Sequence, residues 1–143
     1  MYNQKVVKTL LTNLKSIFLD RYLGCIPIDK HINESICNKE IANVLTTFQV
    51  GHIIVGHTPQ VFPSTCYLTN IEEQKHSSNG INQTCDGRVF RVDIAGSKSF
   101  DFGDDGLSEE QKKNRIPQVL EIIDDKTFRI LKKGHKPEVI YEE

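Results

Sequence analysis

A chain of 143 residues, 38% of them hydrophobic and 26% charged, has enough apolar material for one domain with a modest core. It is too polar to be embedded in a membrane and too apolar to stay disordered. A formal net charge of -1 offers neither a nucleic acid nor an anionic membrane the basic surface it needs.

The N-terminus lacks the compact apolar run and small-residue cleavage site of a secretory signal, and no apolar stretch reaches membrane-spanning length. A single domain over 1–143 in the cytoplasm is the expectation. There the four cysteines, Cys25, Cys37, Cys66 and Cys85, form no CxxC pair and are expected as free, partly buried thiols. The triplets Asn33-Glu34-Ser35 and Asn82-Gln83-Thr84 spell glycosylation acceptors, a pattern without meaning in that compartment.

In chain order, Val6, Val7, Leu10, Leu11, Leu14, Ile17 and Phe18 recur at helical spacing and predict a helix over about Gln4–Leu19. Gly24, Pro27 and Asp29-Lys30-His31 read as a loop. Cys37, Ile41, Val44, Leu45 and Phe48 predict a second helix, with Asn33 or Ser35 as its N-cap. Ile53-Ile54-Val55 is a short β-branched run ending at Gly56, expected as a strand covered on both faces. Phe62 to Gly80 is a polar excursion.

Arg88–Ile94 alternates as a strand, with Phe90, Val92 and Ile94 on one side and Val89, Arg91 and Asp93 on the other. The acidic stretch Asp101–Glu110 lacks the spacing of an EF-hand and reads as a solvated loop. Gln118–Ile123 and Thr127–Lys132 form a hairpin about Asp124-Asp125-Lys126, and Lys133–Glu143 is a frayed tail or an edge strand. Helices followed by strands predict an α/β (α+β) layer fold.

His57 directly follows the apolar strand. Ligand sites gather at the carboxyl ends of strands in α/β sheets. Gly56 permits close approach, and Pro59 fixes the turn. The residues alone allow two readings: a metal-ligating imidazole, or a turn histidine making one hydrogen bond.

The run Val50-Gly51-His52-Ile53-Ile54-Val55-Gly56-His57-Thr58-Pro59-Gln60 resembles the last metal-ligand block of calcineurin-like metallophosphoesterases. It is most similar to the Shewanella-like branch of serine/threonine protein phosphatases. Gly80 to Ile94, then Ser97-Lys98, then Gln118 to Ile122 continue the likeness in order, and Asp20-Arg21-Tyr22-Leu23-Gly24 is similar to an upstream segment that nears the active site. The likeness spans about Asp20 to Lys132.

In that family two divalent metals, bridged by a hydroxide, hydrolyse a phosphate monoester. The resemblance implies that His57 is a ligand to manganese, iron or zinc, and that Thr58 and Asp93 line the site. The Arg21 guanidinium reads either as a clamp for substrate phosphate or, more commonly for such a residue, as a surface or helix-end arginine. His52 faces the other way and is not counted as a ligand. An Arg91–Asp93 salt bridge on one strand face is an alternative use for Asp93.

The family's earlier blocks, which carry most metal ligands and the catalytic acid, have no counterpart here. Asp29-Lys30-His31 has the Asp-x-His spelling without the flanking glycines, and Lys132, Lys133, His135 and Lys136 are too few to imply nucleic acid. One histidine cannot hold two ions. The expectation is the C-terminal part of a metallophosphoesterase domain, a partial sheet with two N-terminal helices and mostly antiparallel strands, inactive alone. Its partner would be an N-terminal half-chain or a second copy, and its substrate a phosphoprotein or small phosphoester. A non-catalytic regulatory module derived from a phosphatase is the alternative.

Overall fold

The computed structural model describes residues 21–60, 80–97 and 115–143. The helix expected over Gln4–Leu19, most of the excursion after Phe62, the acidic loop and Cys66 lie outside them. A short helix α1 (Tyr22–Cys25) precedes a continuous helical rod made of α2 (Lys30–Ser35), a π segment (Ile36–Ile41) and α3 (Ala42–Phe48). Six strands follow: β1 (Ile53–Val55), β2 (Asn82–Thr84), β3 (Val89–Arg91), β4 (Gln118–Ile123), β5 (Thr127–Lys132) and β6 (Glu138–Glu142). The class is α+β, as the order of elements predicted.

The rod starts earlier than expected. Asp29, read as loop, is its N-cap, its carboxylate accepting from the His31 amide at 2.8 Å. The residues proposed as caps serve otherwise: Asn33 is buried and donates to the Pro27 carbonyl (2.8 Å) and the Thr84 hydroxyl (2.9 Å). The inward positions Asn33, Cys37, Ile41 and Leu45 step by four residues. In a regular helix that stripe would drift by about 40° per turn. The wider π turn lets it stay on one face. The rod stops at Gln49, which takes the left-handed conformation usual for glycine (φ 53°) while Val50 N–H donates back to the Leu45 carbonyl at 3.1 Å.

Two three-stranded sheets follow. The first has the order β1-β3-β2, with β1 parallel and β2 antiparallel to β3. The second has the order β4-β5-β6 and is antiparallel throughout. Strand β2 was not foreseen. The tail resolves as an edge strand, and the β4–β5 turn places Asp124 and Asp125 at positive φ (52° and 56°), the conformation a tight hairpin turn demands.

The first sheet is covered differently on its two faces. Ile53, Val55 and Val89 pack toward Ile26, Cys37 and Ile41. On the other face, Phe90 stacks on Phe128 at 4.3 Å, with His52 (4.5 Å) and Tyr141 (5.8 Å) closing around Phe128. His52 is thus a packing residue, and its Nδ1–H donates to the Gly87 carbonyl at 2.8 Å. The edge strand β6 comes so close that a Cβ on Gly87, already at φ 79°, would overlap the Tyr141 ring.

Three expectations are corrected. Cys37 and Cys85 are joined in a disulfide across 48 residues, and Cys25 is disulfide-bonded as well, so these are not free thiols. Ile54 in β1 is 48% exposed, so β1 is not covered on both faces. Regular pairing of β3 ends at Arg91 rather than Ile94. Among the described residues no helix is long and apolar enough to cross a membrane.

Candidate functional site

Strand β1 is fixed to β3 by Ile53 N–H donating to the Arg88 carbonyl (2.8 Å) and Val92 N–H donating to the Val55 carbonyl (2.9 Å). Immediately beyond its carboxyl end, His57 is exposed and held at φ 63°. A non-glycine side chain in that conformation costs about 1–2 kcal/mol, so the rest of the turn must hold it there.

What holds it is a ring of buried polar contacts. Thr58 and Gln60 are 2% and 3% exposed. The Gln60 side-chain amide donates to the Thr58 carbonyl (2.8 Å) and the Gly24 carbonyl (3.2 Å), while its backbone N–H donates to the Asp93 carbonyl (2.9 Å). Its side-chain oxygen accepts from Asn82 Nδ2 at 3.1 Å. Asn82 Oδ1 in turn accepts from Arg91 Nε at 2.7 Å. Arg91 closes the ring by donating from Nη1 to the Ile26 carbonyl (2.7 Å) and, longer, to the Gly24 carbonyl (3.4 Å).

Arg91 is 1% exposed, and its Nη2 has no hydrogen-bond partner among the described residues. Burial lowers its pKa to about 10, which still leaves it cationic at neutral pH. No salt bridge to Asp93 forms. The Asp93 carboxylate instead accepts from the Ala95 amide at 2.9 Å, supporting Ala95 at φ 51°.

The sequence-predicted site residues are therefore brought together unequally. Thr58 is in the turn but buried, and Asp93 touches the turn through its backbone carbonyl. Arg21 is exposed at the N-terminal end of α1, three residues before Gly24. Gly24 lies so close to Thr58 that a Cβ there would overlap the threonine side chain. The Arg21 segment and the His57 turn are thus in direct contact through Gly24. Gln60, Asn82 and Arg91, which fix this contact, were not singled out for it; the one signal was a lone arginine alternating with Val89 on a strand face.

Among the described residues no three His, Cys, Asp or Glu side chains gather as a metal site. A single imidazole with one already engaged carboxylate does not fit a binuclear centre, so these residues alone would not hold one. A separate groove of about 310 Å³ lies beside the Cys37–Cys85 bond, lined by His31, Glu34, Asn38, Asp86 and Arg88. None of the predicted site residues lines it.

No family model matches the chain, and no solved structure does. The chain is similar to an uncharacterized protein of Acanthamoeba polyphaga mimivirus, 34% identical over an alignment 131 residues long that covers 87% of this chain and 44% of that protein. It spans less than half the length of the relative it matches.

Proposed function

We propose that the chain is the C-terminal part of a calcineurin-like phosphoesterase of the protein-phosphatase type, contributing His57 to a metal centre completed by residues outside these 143. The observation that carries this reading is His57 itself. It stands exposed at the carboxyl end of a parallel strand, in a strained backbone conformation enforced by buried neighbours. Strain held on an exposed histidine supports a role in which that side chain is aimed. In this reading Arg21, three residues before the Gly24 that meets the same turn, holds a phosphate group.

In this reading the substrate is a phosphomonoester on a protein or small molecule, and the ions are manganese, iron or zinc. The chain on its own does not turn over. The test is aryl-phosphate hydrolysis with added manganese, first for the chain alone and then for an assembly that includes the rest of the domain. The reading requires activity only in the assembly, lost in His57→Ala. Turnover by the chain alone, or full activity in the assembled His57→Ala variant, refutes it.

A cytoplasmic location is part of the same proposal, and the Cys37–Cys85 bond weighs against it, because disulfides persist in oxidising compartments. The intact mass of protein taken from its source cell under alkylating conditions decides the point.

A further inference from the structure

The Cys37–Cys85 bond lies where a reagent from solution can reach it. Both cysteines are nearly buried, yet both line the groove of about 310 Å³, together with Glu34, His31, Asp86 and Arg88. A link that only staples a core has no need of such a polar approach.

The backbone at Cys85 sets this bond apart. Arg88 N–H donates to the Cys85 carbonyl at 3.2 Å and closes a turn whose central residues, Asp86 and Gly87, are at φ 54° and 79°. Positive φ is what the central residues of a tight hairpin turn require. Cys85 stands outside that pair, on the strand side, and is nevertheless at φ 55°. A residue with a side chain rarely adopts that conformation unconstrained, and the covalent tie to Cys37 is the constraint at hand. Opening the bond frees Cys85 to return to extended backbone.

Arg88 is the second distinguishing feature. Its Nη1 donates to the Cys37 carbonyl at 3.2 Å, and it forms no ion pair among the described residues. An unneutralised guanidinium beside Cys37 stabilises a thiolate there, and a disulfide sulfur leaves faster the more stable its thiolate.

We propose that Cys37–Cys85 is a redox switch, opened by thiol–disulfide exchange with a dithiol that enters this groove while the chain stays folded. One thiolate of the dithiol attacks Cys85 Sγ, and the S–S bond breaks with its electron pair on Cys37 Sγ beside Arg88. The second thiolate then attacks the dithiol's own sulfur in the mixed disulfide and releases Cys85. The dithiol leaves oxidised to a disulfide, and its two protons end on Cys37 and Cys85.

The change is passed to the His57 turn. Thr84, next to Cys85, donates its hydroxyl proton to the Pro27 carbonyl at 2.7 Å, and Asn33, one turn before Cys37, donates to both. The bond thereby clamps the segment from Gly24 to Pro27, and Gly24 abuts Thr58. The opened form loosens that segment and with it the hold on His57. Any effect on catalysis rests on the function proposed above; the exchange and the loosened turn do not.

The experiment follows Cys37 and Cys85 by alkylation and peptide mass mapping while the 143-residue chain is treated with dithiothreitol. Their rate of reduction should change by less than about twofold in about 1 M urea, where a route through global unfolding gains about 30-fold. Arg88→Gln should slow reduction about fivefold, and Glu34→Gln should quicken it about twofold, because a carboxylate repels the incoming thiolate. Acceleration by urea of more than about fivefold, or rates indifferent to both substitutions, overturns the proposal. The variant Cys37→Ala/Cys85→Ala, which spares the Cys25 bond, should still fold and show amide shifts at residues 57–60 in nuclear magnetic resonance spectra. A variant that does not fold, or unshifted amides at 57–60, also overturns it, since a switch needs two folded states that differ at the turn. No metal or substrate enters these readouts. A chain that passes them yet hydrolyses no aryl phosphate when assembled refutes the phosphoesterase reading alone.

Discussion

Removing the Cys37–Cys85 bond tests how much of the fold depends on a cross-link. The bond closes a loop of 48 residues, and chain-entropy arithmetic for that length gives about 4 kcal/mol of stabilisation. Both sulfurs lie in the main core, 5% and 4% exposed, so alanine at each position fits without strain. The double variant Cys37→Ala/Cys85→Ala leaves the Cys25 bond in place, which a reductant would not. Whole domains are stable by only about 5–15 kcal/mol, so such a loss is a large share. With a urea m-value of about 2 kcal/mol/M, the midpoint should fall by about 2 M, read by far-ultraviolet circular dichroism. A fall of less than about 0.5 M would refute the reasoning. It would mean that the helical rod and the β2–β3 turn hold together by packing alone.

Four further outcomes are expected. Arg91→Met orphans the Ile26 carbonyl and the Asn82 side-chain oxygen and should cost about 2 kcal/mol in urea unfolding; an unchanged midpoint would show that the ring is incidental. His57→Gly relieves the left-handed strain and should raise stability by about 1 kcal/mol, whereas a histidine with a structural role would lower it. Gly24→Ala drives a methyl group into Thr58 and should destabilise by about 2 kcal/mol, with amide shifts in nuclear magnetic resonance spectra concentrated at residues 57–60. Phe90→Ala empties the stack between the sheets and should cost about 3–5 kcal/mol; a loss under about 1 kcal/mol would show that the second sheet is held elsewhere.

The parts of the fold that were legible in the sequence are those governed by local rules. Asp124-Asp125 between two β-branched runs announced a hairpin because few side chains tolerate positive φ. The stripe of Cys37, Ile41 and Leu45 announced a helix through another local rule, the recurrence of apolar side chains at helical spacing. What escaped notice depends on partners distant in the chain. Strand β2 is Asn82-Gln83-Thr84, with no apolar alternation, and it is held by side-chain amides and a hydroxyl that meet groups on other elements. The disulfide joins residues whose spacing carries no signal.

The site was legible only in part. The strand and the glycine located the His57 turn, and the family likeness supplied its meaning. Arg91 was paired with Asp93 because they share a strand face, yet its guanidinium reaches across to carbonyls near the end of α1. Both glycosylation-type triplets prove to be structural spellings: the Asn33 amide is buried, and the Asn82 amide is bound on both sides.

The Gly24–Gln60–Asn82–Arg91 ring has an evolutionary consequence. Each member satisfies a neighbour that would otherwise be left buried and unpaired, so a change at one position is harmful until another position also changes. Substitutions at Gln60, Asn82 and Arg91 should therefore be strongly epistatic, with double-mutant coupling of about 0.5–3 kcal/mol. Homologous chains that drift apart elsewhere should keep the three together or exchange them as a set.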